Sequence, residues 1–130
     1  MDFINSSSDL KSLIAFAADH CLKPYRHSVI GADIFDNLIS FSELDYDISL
    51  IIECRNLEGI RIPKNDLELE IYASGNDINL MLTFINNPEM PIVWHGSHSV
   101  WMEPETGKQC QKPTNGIALE ALIRRIKALF

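Results

Sequence analysis

The residues best suited to chemistry are two histidines beside a predicted tight turn. His95 and His98 flank a Gly-Ser pair, and a two-residue hairpin turn would hold their Cβ atoms about 5 Å apart. Cys110 follows in a polar stretch, and a thiolate with two imidazoles is a ligand set that zinc accepts. A small metal-dependent enzyme or ligand-binding protein using His95, His98 and Cys110 is therefore one hypothesis.

The rest of the sequence favours a binding protein over an enzyme. Its six glycines stand singly, so there is no Gly-rich phosphate loop, and neither G-x-S-x-G nor H-E-x-x-H occurs. The two histidines lack a third ligand at a characteristic spacing. The simpler interpretation is that both rings face water at the tip of the hairpin. We therefore expect no cofactor.

The distribution of charge is the most unusual feature of the chain. The formal net charge is −7, and lysine and arginine are absent between Arg26 and Arg55 and again between Lys64 and Lys108. This argues against nucleic-acid binding, which needs clustered cations, and favours a basic protein partner. A solvated acidic surface that maintains solubility is the simpler alternative. The acids expected to steer such a partner are Asp45, Asp47, Glu68, Glu70 and Asp77.

Helices are predicted near both ends of the chain. Apolar residues recur at helical spacing after the possible caps at 6–9 and end near Leu22, before Pro24. A second stripe, Leu119 to Leu129, follows the cap candidates Thr114 and Asn115. Asp33 is also predicted to cap a short second helix.

Three strands are predicted between these helices before the second hairpin. Alternation begins at Tyr46 and continues to Arg55. A type II′ turn at Gly75-Asn76 would pair 67–74 with 77–84 so that apolar side chains share one face. A slip of one residue would destroy that separation, so the register is specified by the sequence.

A second type II′ turn is predicted at Gly96-Ser97. It would pair His95 with His98 and place Trp94 and Trp101 on one face of the hairpin. Burial in the core is one interpretation of these tryptophans, and exposure as interface anchors is the other. The stretch from Glu103 to Gly116 is polar and aperiodic, and loops of this length are often functional or mobile.

Together these elements predict one α+β domain over residues 1–130, with an antiparallel sheet of about five strands and both terminal helices on one face. No apolar run approaches the roughly 20 residues of a membrane helix, and the N-terminus lacks a basic secretory signal. We therefore expect no membrane association, and a cytoplasmic protein.

The leading functional hypothesis is a small acidic module that engages a basic protein, either as an immunity- or antitoxin-type inhibitor or as an adaptor or chaperone. The acids would steer the partner, and Tyr72 or a tryptophan would anchor it. A homodimer formed through the tryptophan face or a sheet edge is a third hypothesis.

Overall fold

A computed structural model describes residues 9–31, 47–74 and 77–130. The predicted short helix at Asp33, the acid Asp45 and the turn Gly75-Asn76 lie outside these residues. In the described part, two helices flank six strands in chain order: α1 (Asp9–Cys21), β1 (Arg26–Ile30), β2 (Ile48–Arg55), β3 (Leu67–Ser74), β4 (Asp77–Phe84), β5 (Ile92–His95), β6 (Ser99–Met102) and α2 (Gly116–Lys127).

The six strands form a single antiparallel sheet in the order β1-β2-β3-β4-β5-β6, so each strand pairs with its neighbours in sequence. The predicted fold class is confirmed, with one strand more than expected. The additional strand is β1, whose residues Arg26, His27 and Ser28 lack an apolar alternation strong enough to predict it.

The inner face of the sheet packs against both helices and forms the core. Inward side chains of β2, β3 and β4 join Ile14 of α1 and the stripe of α2 in one apolar cluster. Eleven large side chains of this cluster are almost fully shielded from water: Ile14, Leu50, Ile52, Leu67, Leu69, Ile71, Leu80, Leu82, Leu122, Ile123 and Ile126. Their burial is the main favourable contribution to folding.

The β3–β4 hairpin has the predicted register, from Leu67 opposite Phe84 to Ser74 opposite Asp77. Because Leu69 and Leu82 face each other in the core, the intervening residues of both strands must face outward. This alternation produces the outer face described below.

The predicted register of the β5–β6 hairpin is wrong by one residue. Its loop has three residues, Gly96–His98, so His95 pairs with Ser99 and Val93 with Trp101. Val93 is 0% and Trp101 is 4% exposed, and only this register directs both into the core. Trp94 therefore faces outward and Trp101 inward, on opposite faces of the sheet.

Trp101 is held in the core by a polar contact as well as by packing. Its Nε1–H donates to Glu120 Oε2 at 2.6 Å, which satisfies the buried indole donor. Glu120 Oε1 lies 2.9 Å from Lys112 Nζ. A Cβ added at Gly116 would lie 3.0 Å from Trp101 Cζ2, so the start of α2 fits closely against the indole.

The segment after β6 is tied to the sheet rather than free. Cys110 N–H donates to the Trp101 carbonyl at 2.8 Å, and Gln109 forms an isolated bridge with Met102. Glu103 and Lys108 are joined by a backbone hydrogen bond. The long polar loop therefore covers part of the outer edge of β6.

Tryptophan fluorescence tests the register of β5 and β6. In Trp94→Phe only the core indole remains, so emission should shift to the blue and acrylamide quenching should fall clearly below that of the wild type. Trp101→Phe should have the opposite effect and lower the free energy of unfolding by about 1–3 kcal/mol, because Glu120 loses its indole donor. Equal quenching of the two single-tryptophan variants would contradict the three-residue loop.

Candidate functional site on the outer face of the sheet

The outer face combines acidic and apolar side chains on neighbouring strands. Glu68, Glu70 and Tyr72 project from β3, and Ser49 lies beside Glu70 on β2. Further along the sheet, Met81 stands between Glu70 on β3 and Trp94 on β5. Ile92, Val100 and Met102 continue this side of the sheet and are half-buried. We call Asp47, Ser49, Glu68, Glu70, Tyr72, Met81 and Trp94 the outer-face patch.

Two aromatic rings form the centre of the outer-face patch. The ring centroids of Tyr72 and Trp94 are 5.3 Å apart with an interplanar angle of 26°, which is a stacked arrangement. Both rings are half-buried, so part of each remains accessible to solvent. Stacked aromatics of this kind offer a partner a large rigid surface at little cost in conformational entropy.

The carboxylates beside this stack are bonded to neutral groups. Ser49 Oγ donates to Glu68 Oε2 at 2.7 Å, and Tyr72 OH donates to Glu70 Oε2 at 2.8 Å. Among residues 9–31, 47–74 and 77–130, neither glutamate forms an ion pair. Their negative charge is therefore not neutralised by a described cation.

The neighbouring carboxylates change the pKa of the Tyr72 phenol. Partial burial, the hydrogen bond to Glu70 and the charges of Glu70, Asp47 and Glu68 together raise the pKa of Tyr72 to about 12. The phenol therefore stays protonated and remains a donor at neutral pH. The same three carboxylates would stabilise a cation placed beside the ring.

Two predicted partner-binding residues are placed elsewhere by the structure. Asp77 lies at the start of β4, and its Oδ1 is 3.5 Å from Lys127 Nζ, so its charge is offset by a cation of α2. Trp101 lies in the core and is not available as an interface anchor. Met81 and Ser49, by contrast, belong to the outer-face patch and were not predicted as site residues.

A family model, described as "Domain of unknown function (DUF8659)", matches residues 11–129, which run from α1 to α2. The chain belongs to the DUF8659 family. No curated protein and no solved structure shows significant similarity to it. Within the described residues of this DUF8659 chain, neither helix has the length and hydrophobicity needed to cross a membrane.

The structure does not bring His95, His98 and Cys110 of this DUF8659 chain together as a metal site. His95 faces inward and is 7% exposed, whereas His98 lies in the exposed hairpin loop. Cys110 is half-buried against the core beside β6. Among the residues that the structure describes, no group of three or more His, Cys, Asp and Glu side chains is arranged to hold a metal ion.

His95 instead has the environment of a structural histidine. Its Nδ1 lies 3.0 Å from Ser99 Oγ, across the β5–β6 pair. Burial lowers the pKa of His95, and the nearby charges of Lys127, Arg124 and His98 lower it further. Burial and these charges therefore favour the neutral imidazole, although the charge of Glu120 acts in the opposite direction.

Asp66 forms a buried polar cluster that sequence analysis missed. It is 6% exposed, its Oδ1 accepts from the Cys54 backbone N–H at 2.8 Å, and its Oδ2 pairs with Arg61. Arg61 also lies 3.3 Å from Glu53. These contacts anchor the β2–β3 connection to the sheet, and no local sequence pattern identifies them.

The neutral state of His95 predicts a pH-dependent stability. The unfolded chain takes up a proton near the ordinary histidine pKa of 6.5, whereas the folded domain does so only at lower pH. Because the unfolded state then binds more protons, the thermal midpoint should fall as the pH drops below about 6.5.

The matched test compares His95→Asn, which keeps a polar partner for Ser99, with His98→Asn in the exposed loop. His95→Asn should flatten the decrease in the thermal midpoint between pH 7.5 and 5.5. His98→Asn should largely retain it. An unchanged slope in His95→Asn would show that another group controls acid stability in this range.

Proposed function

We propose that this DUF8659 domain binds a basic protein through the outer-face patch. The observation that carries the proposal is the group of carboxylates without a described cationic partner, Asp47, Glu68 and Glu70, next to the accessible stack of Tyr72 and Trp94. Negative charge on a binding surface accelerates association with a basic partner and disfavours acidic ones, and aromatic rings provide buried contact area.

Two other glutamates of the described domain, Glu53 and Glu120, are already paired with cations, which distinguishes them from this group. Glu53 lies 3.3 Å from Arg61, and Glu120 lies 2.9 Å from Lys112. A basic partner approaching these acids would have to displace an internal cation. Within the described parts of the chain, the hydrogen-bond partners of Glu68 and Glu70 are instead the neutral hydroxyl groups of Ser49 and Tyr72.

An arginine or lysine side chain of the partner suits this geometry. Its cationic head can lie within about 6 Å of the Tyr72 or Trp94 ring and gain a cation–π interaction. The same head can donate hydrogen bonds to the second oxygen of Glu68 or Glu70, because a carboxylate accepts several. Arginine fits best because its planar guanidinium both stacks on rings and pairs with carboxylates.

The biological role within this proposal is occlusion of a cationic protein. An immunity- or antitoxin-type inhibitor would cover the basic active surface of a toxin, and an adaptor or chaperone would shield a basic client. We also propose a cytoplasmic location, which the three free thiols, Cys21, Cys54 and Cys110, support.

Affinity capture with matched variants tests the proposal. The wild-type domain, immobilised at low salt, should retain a basic protein from lysate of its native cells and release it at high salt. The triple variant Asp47→Asn/Glu68→Gln/Glu70→Gln should lose that protein. With the purified partner, this variant should slow association by at least about tenfold.

The control is a second triple variant that removes the same charge elsewhere, Glu58→Gln/Glu89→Gln/Glu105→Gln. All three of these acids are exposed and lie in connecting segments away from the outer-face patch. It should retain the partner. If both variants lose the partner equally, net charge rather than the outer-face patch controls binding. If neither variant loses the partner, the outer-face patch is not the binding surface. If the purified domain forms a salt-sensitive dimer by itself, the partner is a second copy of this chain rather than a different protein.

A further inference from the structure

A cavity lies on the opposite side of the sheet from the outer-face patch. It is a partly open cavity bounded by the end of α1, the beginning of α2 and the inner face near the ends of β2 and β4, and its volume is about 220 Å³. Leu22, Phe84 and Leu119 supply much of its apolar lining. Lys23, which also lines it, is exposed, so the cavity is accessible from solvent.

His27 provides a polar group in this largely apolar lining. Its side chain is 1% exposed, and its Nδ1 lies 3.0 Å from Asp19 Oδ1 on α1. The carboxylate accepts a hydrogen bond from Nδ1–H, and this fixes the orientation of the ring. Nε2 has no hydrogen-bond partner among the described residues, although buried polar atoms are nearly always satisfied.

The residue opposite His27 on β2 does not satisfy this nitrogen. Cys54 faces His27 across the β1–β2 pair and also lines the cavity. Burial raises the pKa of the Cys54 thiol, and Asn65 lines the cavity beside it. His27 therefore brings a buried polar ring to the wall of the cavity.

We propose that this cavity binds a small, mostly apolar molecule carrying one hydroxyl group, such as a monocyclic phenol or alcohol. With Nδ1 bonded to Asp19, Nε2 is the ring nitrogen left for a ligand, and a hydroxyl suits it in either protonation state because a hydroxyl both donates and accepts hydrogen bonds. An apolar protein cavity of about 150 Å³ already admits benzene, so a substituted six-membered ring fits in this space. The rest of the ring contacts Leu22, Phe84 and Leu119.

This site is independent of the proposed protein-binding surface. The outer-face patch and the cavity lie on opposite sides of the sheet, and they share no residue. The cavity selects its ligand by apolar contact and one hydrogen bond, whereas the patch selects its partner by charge. Failure of either proposal therefore leaves the other intact.

Methyl NMR of the full chain with phenol and toluene as probes tests the proposal. Phenol should shift the methyl signals of Leu22 and Leu119 saturably, and toluene, which lacks the hydroxyl, should bind at least about tenfold more weakly. His27→Phe should remove the preference for phenol. Ala118→Leu, which reduces the cavity while keeping His27, should weaken both probes.

Two results would overturn the inference. If neither probe moves the Leu22 and Leu119 methyl signals of the wild type, the cavity does not bind ligands of this class. If phenol and toluene bind the wild type equally, His27 does not select a hydroxyl group. Both results come from the unmodified protein, so they do not depend on the folding of a variant.

Discussion

Burial of one face of the sheet against two helices is the interaction on which the rest of the structure depends. Three successive strands contribute leucines that are at most 2% exposed, namely Leu50, Leu69 and Leu82. They belong to the same apolar cluster as Leu122 and Ile126 of α2. Because side chains alternate along a strand, this burial also determines which residues face outward. The outer-face patch is therefore a consequence of the core, since Glu68, Glu70 and Tyr72 occupy the positions that the core leaves.

The parts of the fold that could be predicted are those in which apolar and polar residues alternate cleanly. The β3–β4 hairpin is such a case, because any other register would expose Leu69 or bury Glu68. The β5–β6 hairpin is not, since Val93 and Trp94 are both apolar and either could face the core. There the apparent turn residues Gly96-Ser97 indicated a two-residue loop, but burial of Val93 with Trp101 requires three.

The sequence predicts the negative charge of the candidate site, but not which acids form ion pairs or which aromatic rings stack. The absence of lysine and arginine around β3 and β4 identifies an acidic region directly from the sequence. Whether each acid is neutralised depends on contacts between distant segments, such as Lys127 with Asp77. The Tyr72–Trp94 stack likewise requires β4 to lie between β3 and β5, which single-strand patterns do not establish.

The central claim is that the carboxylates of the outer-face patch, rather than the net charge of the chain, attract the partner. Stopped-flow association with the captured protein, followed over a series of ionic strengths, tests it most directly. The account predicts a steep decrease in the association rate constant for the wild type and a shallow one for Asp47→Asn/Glu68→Gln/Glu70→Gln. The same steep decrease in both proteins would contradict it.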